Sequence, residues 1–191
     1  MRHAFAHSDI SKEALCEILT RFWQIKLRSI HLLERWFVTT RDSDLRAGVG
    51  AQLADERRHL RLLADELKRR SGRQPAVVDH IVTKAFALVQ AQPTETLKAC
   101  AYYRGVKATT HQRIYKLLGH ADMALLEVLE QVLHDDERNL RWADMRLHAL
   151  SGDDVRRCNA LLEKMEGSMQ AVWSRPWRHM TSSRLAYLAN G

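Results

Sequence analysis

Residues 54–61 read ADERRHLR and residues 134–141 read HDDERNLR, two versions of one phrase 80 residues apart. The first carries Glu56 and His59 where the second carries Asp136 and Asn139. Sliding residues 31–72 onto 111–152 without a gap gives eleven identities in 42 positions, among them His31/His111, Asp42/Asp122, Asp55/Asp135, Arg58/Arg138 and Gly72/Gly152. Unrelated segments would give about two or three, and self-similarity at a fixed period marks a repeated unit. The unit is a helical hairpin, because apolar residues recur at spacings of three and four on both sides of each phrase.

From Ser11 to about Thr39, Leu15, Leu19, Phe22, Ile30, Leu33 and Phe37 form one stripe of a long helix. The link RDSD offers Asp42 or Ser43 as the N-cap of a second helix, which runs to about Arg70. That helix turns inward Leu45, Val49, Leu53, Leu60, Leu63 and Leu67, and SG at 71–72 closes it. Pro75 and Pro93 bracket a short apolar helix. Thr94 caps a third long helix, with Leu97, Ala101, Ala108, Tyr115 and Leu118 on one stripe. A fourth runs from about Met123 to Leu150, where SG at 151–152 is expected to stop it. A fifth carries Val155, Cys158, Leu162, Met165, Met169 and Val172, and the tail after it holds at most a turn or two. No stretch alternates with period two, so the fold class is all-α. Short turns make antiparallel hairpins and a long middle link makes a crossover. One domain is expected over 1–191, with repeat halves at about 11–72 and 94–152 and a C-terminal helix and tail at 153–191.

Composition narrows the function classes. The chain has 191 residues, 46% of them hydrophobic, with eight Gly and three Pro. Three widely spaced cysteines do not suggest a disulfide framework or a zinc knuckle, and a reducing cytoplasm is expected. No apolar run approaches membrane-spanning length, so no membrane partner is expected. The net charge is +7, concentrated in RRHLRLLADELKRRSGR and in the tail. Acids interleave with the bases elsewhere, which favours a solvated face over a nucleic-acid surface.

A duplicated hairpin with a crossover, carrying DERRH in its second helix, resembles the ferritin-like superfamily over about residues 12–150. The resemblance implies a four-helix bundle holding two iron or manganese ions. One Glu would come from each of helices one and three, and a Glu-x-x-His from each of helices two and four. Glu56 and His59 match the pattern. The second copy departs from it: Asp136 keeps a shorter carboxylate, and Asn139 offers only an amide. Antiparallel pairing places the level of Glu56 beside residues 23–28 of helix one and 103–108 of helix three. Neither window contains an acid; they hold Gln24, Lys26, Arg28, Arg104 and Lys107. A cation such as Arg28 or Arg104 is expected to reach Glu56 or Asp136 and neutralise the buried acid without metal.

The candidate metal ligands are therefore Glu56, His59 and Asp136, with His31 and His111 as possible additions and His134 as a neighbour that could face His111. Tyr102, Tyr103 and Tyr115 are read as packing aromatics. The leading expectation is a bundle with a degenerate di-metal centre and a binding or assembly role, free of cofactor. The alternative is an iron- or manganese-dependent, oxygen-activating oxidoreductase. Nucleic-acid binding ranks below both. The segment VWSRPWRHM, with two Trp and a Met beside Arg, suggests a homo-oligomer.

Overall fold

A computed structural model describes residues 10–73, 75, 80–148 and 150–174. The described residues are helical throughout, with no strand among them. In chain order the helices are α1 (Lys12–Thr39), α2 (Ser43–Ser71), the short α3 (His80–Gln90), α4 (Glu95–Ala99), α5 (Ala108–Leu117), α6 (Met123–Leu147) and α7 (Gly152–Ser174). Between α4 and α5 the rod continues as a π-helix over Cys100–Lys107. The links of residues 40–42 and 118–122 set α1 against α2, and α5 against α6. Helix α2 also packs on α6, while α3 and α7 cover the π-helical stretch.

Local chemistry fixes the ends. Ser11 Oγ accepts from Ala14 N at 3.2 Å, Thr94 Oγ1 from Leu97 N at 3.2 Å and Asp122 Oδ1 from Leu125 N at 3.0 Å. Of the two residues offered for α2, Asp42 is the cap, accepting from the backbone N–H of Asp44 and Leu45. Gly72 closes α2 at φ 71°, a conformation that favours glycine. The matching SG at 151–152 behaves differently. Gly152 has no positive φ, and Ser151 instead accepts from Asp154 N at 3.4 Å, opening α7 rather than closing α6.

The third long helix corrects the expected stripe. Tyr115 is 66% exposed, whereas Tyr102, Tyr103, Val106 and Lys107 are buried. The cause is the π-helix: Ala108 N–H bonds to Tyr103 O five residues back, which turns the following residues relative to a regular helix. Helix α5 then buries Thr110, Ile114 and Leu117. One apolar cluster gathers Trp36, Val49, Phe86, Tyr103 and Met165 at one end. A second gathers Leu19, Phe22, Leu63, Ile114 and Leu129 at the other. A layer of buried charged groups lies among the helices that carry them.

Candidate functional site: a buried ring of four charges

Four helical segments each contribute one charged side chain to this layer: Lys26 from α1, Glu56 from α2, Lys107 from the π-helix and Asp136 from α6. All four are buried, with side-chain exposures of 2% or less. Lys107 Nζ lies 2.6 Å from Glu56 Oε1 and 2.6 Å from Asp136 Oδ1. Lys26 Nζ lies 3.1 Å from Glu56 Oε2 and 3.1 Å from Asp136 Oδ2. Each ammonium thus makes ion-pair contacts with both carboxylates, and the ring of two cations and two anions is neutral. Gln52 Nε2 donates to Tyr102 Oη at 3.1 Å, and that hydroxyl lies 3.4 Å from Glu56 Oε1.

Burial alone would push the Glu56 carboxyl upward, but Lys107 and Lys26 outweigh it and hold the group at about 2. Asp136 is lowered in the same way, against burial, by Lys107 and then Lys26. Burial lowers the Lys107 ammonium; Asp136 and Glu56 overcome this and raise it above its ordinary value. An ammonium flanked by two carboxylates in a dry interior keeps its proton.

A second layer backs the first. His59 Nε2 lies 2.9 Å from Asp135 Oδ2, and 80 positions on from His59, Asn139 Nδ2 donates to Asp55 Oδ2 at 3.2 Å. Arg58 reaches Asp55 at 2.7 Å and Asp135 at 2.6 Å; Arg138 reaches Asp55 at 2.6 Å and Asp135 at 3.2 Å. These contacts relate residues 80 positions apart in crosswise fashion. The Asn139 amide keeps the hydrogen bond that the His59 imidazole makes, and gives up only the second ring nitrogen.

That second nitrogen is an unpartnered donor atom beside the ring. Burial, followed by Lys26, lowers the His59 imidazole below its ordinary value, so the ring is neutral. With Nε2–H donating to Asp135, Nδ1 carries a lone pair. It has no hydrogen-bond partner and lies 3.9 Å from Glu56 Oε2 and 3.9 Å from Asp136 Oδ1. Donor atoms of Glu56, His59 and Asp136 fall within 4.8 Å of one another. The fit to a metal is nevertheless poor. The other two helices bring ammonium groups rather than carboxylates, and a dication among them would face two fixed positive charges.

Of the candidate ligands, then, the fold brings Glu56, His59 and Asp136 together. It places His31 on the exposed face of α1, and leaves His111 half-buried on α5 and outside this group. His134 is exposed. The cations neutralising the acids are not the arginines expected. Arg104 is exposed and pairs with Asp144 at 3.2 Å, and Arg28 lies half-buried beside α3. Lysines do the work instead, and both lie inside the two windows that antiparallel pairing gave. Lys107 is the residue that sequence periodicity missed, because the π-helix turns it inward.

Most of the basic stretch is neutralised at home. Arg57 pairs with Glu34 at 2.8 Å, Arg69 with Glu66 at 2.8 Å and Arg70 with Asp122 at 2.6 Å. Trp173 stacks on Phe22 with centroids 5.0 Å apart and lies 5.9 Å from the Arg113 guanidinium, so it is engaged within the chain. The rest of the proposed interface segment, from Arg175 on, lies outside the described residues. Cys16, Cys100 and Cys158 are free thiols, and no described helix is long and apolar enough to cross a membrane. No known protein family, curated protein or solved structure matches this chain.

Proposed function

We propose that this protein is a ferritin-like bundle built from a duplicated hairpin, in which a neutral ring of side-chain charges replaces a di-metal centre. Its role is then one of binding or assembly rather than oxygen chemistry. The observation that carries this reading is the double bridge: Lys26 and Lys107 each contact both Glu56 and Asp136. The crosswise match of His59–Asp135 with Asn139–Asp55 supports the duplication.

Oxygen uptake tests the role. Protein incubated anaerobically with ferrous iron and then mixed with oxygen should consume no more oxygen than the same iron in buffer. Uptake in proportion to protein, abolished by Glu56→Ala, would assign the chain to the oxygen-activating class.

A second reading, a single metal held by Glu56, His59 and Asp136, is favoured by the unpartnered His59 Nδ1. It requires at least one lysine to lose its proton or leave the ring. The raised Lys107 ammonium opposes the first route, and burial among packed helices opposes the second.

A further inference from the structure

A groove between α1 and α3, apart from the charge ring, holds cations that meet no carboxylate among the described residues. Arg28, His31 and Arg35 follow one another on α1 at spacings of three and four, and so share a face. With Glu34 of α1 and Thr83, Phe86, Ala87 and Gln90 of α3 they line a cavity of about 320 Å³. That volume is at the small end of the range for ligand sites.

The charge pattern sets this groove apart. Arg57, Arg58, Arg69, Arg70, Arg138 and Arg146 all meet carboxylates. The Arg28 and Arg35 guanidiniums meet none among the described residues, although Arg28 is half-buried. Glu34, the acid in the lining, pairs with Arg57 at 2.8 Å. Among the described residues the groove therefore keeps two guanidiniums that meet no carboxylate, with an imidazole between them in sequence. The exposed Ala87 supplies apolar surface opposite, next to the buried Phe86, which is 2% exposed. A partly desolvated guanidinium is costly without an anion, and its planar fork matches the oxygens of phosphate or carboxylate.

We infer that this groove binds a small organic anion, its phosphate or carboxylate head held by Arg28 and Arg35 and its apolar body laid on the α3 wall at Ala87. His31 adds a ring N–H between the two guanidiniums. The inference is independent of the reading of the core, since none of the ring residues lines the groove.

Calorimetric titration of the full chain with phenyl phosphate, benzoate and the neutral benzyl alcohol tests it. At least one of the two anions should bind with one-to-one stoichiometry, and more weakly as salt is raised. The tighter of the two identifies the head group, and benzyl alcohol should not bind measurably. Arg28→Gln and Arg35→Gln should each weaken binding about tenfold or more, the loss of a charge-assisted contact. Arg113→Gln, on another face, should leave it unchanged. Neither groove variant should lower the unfolding midpoint of the ligand-free protein, because neither arginine meets an acid among the described residues. Amide shifts in the unaltered protein on adding the anion should centre on residues 28–35 and 83–90, a readout that needs no variant. Absence of saturable binding by both anions, binding indifferent to both arginine substitutions, equal binding of benzyl alcohol, or shifts centred elsewhere would each overturn the assignment.

Discussion

Lys107 Nζ stands 2.6 Å from Glu56 Oε1, a contact between side chains that are both almost wholly buried. The pair is half of a ring closed by Asp136 and Lys26. Removing one member of a buried, hydrogen-bonded ion pair leaves its partner charged and dry, which costs about 3–5 kcal/mol. Glu56→Gln and Lys107→Met should each fall in that range by denaturant unfolding. The double variant should cost clearly less than the sum, because neither charge is then stranded. Additive losses would show that the two groups do not interact across the core.

Acid should unfold the protein in two stages. His59 is lowered, so the unfolded chain takes up its proton first, and stability falls as pH drops through 6.5 and below. Glu56 is lowered from 4.5 to about 2, so its contribution is present above 4.5 and is lost between 4.5 and 2. Unfolding free energies measured from pH 8 to pH 3 should show both slopes. His59→Asn, which puts at 59 the residue found at 139, should remove the upper slope and leave the lower one.

Alkali gives the opposite sign. Lys107 is raised, so its stabilisation is complete below 10.5 and is lost only as pH passes its higher folded value. The protein should hold its unfolding midpoint through pH 10 as far as Lys107 is concerned. Lys107→Met should weaken the dependence seen above that, monitored by circular dichroism.

Two glycines should respond with opposite signs. A Cβ on Gly48 would run into the Trp142 ring, which packs in a T-shaped arrangement with Tyr103 at a centroid distance of 5.7 Å. The gain in helix propensity, about 1 kcal/mol, is smaller than the repacking forced on α6, so Gly48→Ala should destabilise by about 1–2 kcal/mol. Gly167 on α7 has open space around its added methyl, and Gly167→Ala should stabilise by about 0.5–1 kcal/mol. Thermal melts of the two variants decide both.

Much of the architecture can be read directly from residues. Three-to-four spacing of leucines, Asp42, Thr94 and Asp122 as caps, and Gly72 as a stop locate the helices, because these are local effects with few competing outcomes. The windows that would face Glu56 follow from helical rise and short turns alone. What pattern reading misses is rotation about a helix axis. A π-helix has no signature in CAYYRGVK, yet it turns Lys107 inward and Tyr115 out. The same windows hold Arg28 and Arg104 beside Lys26 and Lys107, and residue type alone does not say which cation turns inward. In this core a compact ammonium bridges two carboxylates, a task for which a point charge serves as well as a planar fork. Ser151–Gly152 shows the same limit. Its letters repeat those of Ser71–Gly72, but here the serine caps the helix that follows.

Elemental analysis tests most directly the proposed replacement of metal by Lys26 and Lys107. Protein purified without chelator, unaltered and as Lys26→Glu with Lys107→Glu, should be assayed together for iron, manganese and zinc, with circular dichroism confirming that both are folded. The unaltered chain should carry well under one equivalent. The variant, with four carboxylates and the free His59 Nδ1 at one level, should gain metal in proportion to protein. Stoichiometric metal in the unaltered chain, lost on Glu56→Ala, would contradict the account.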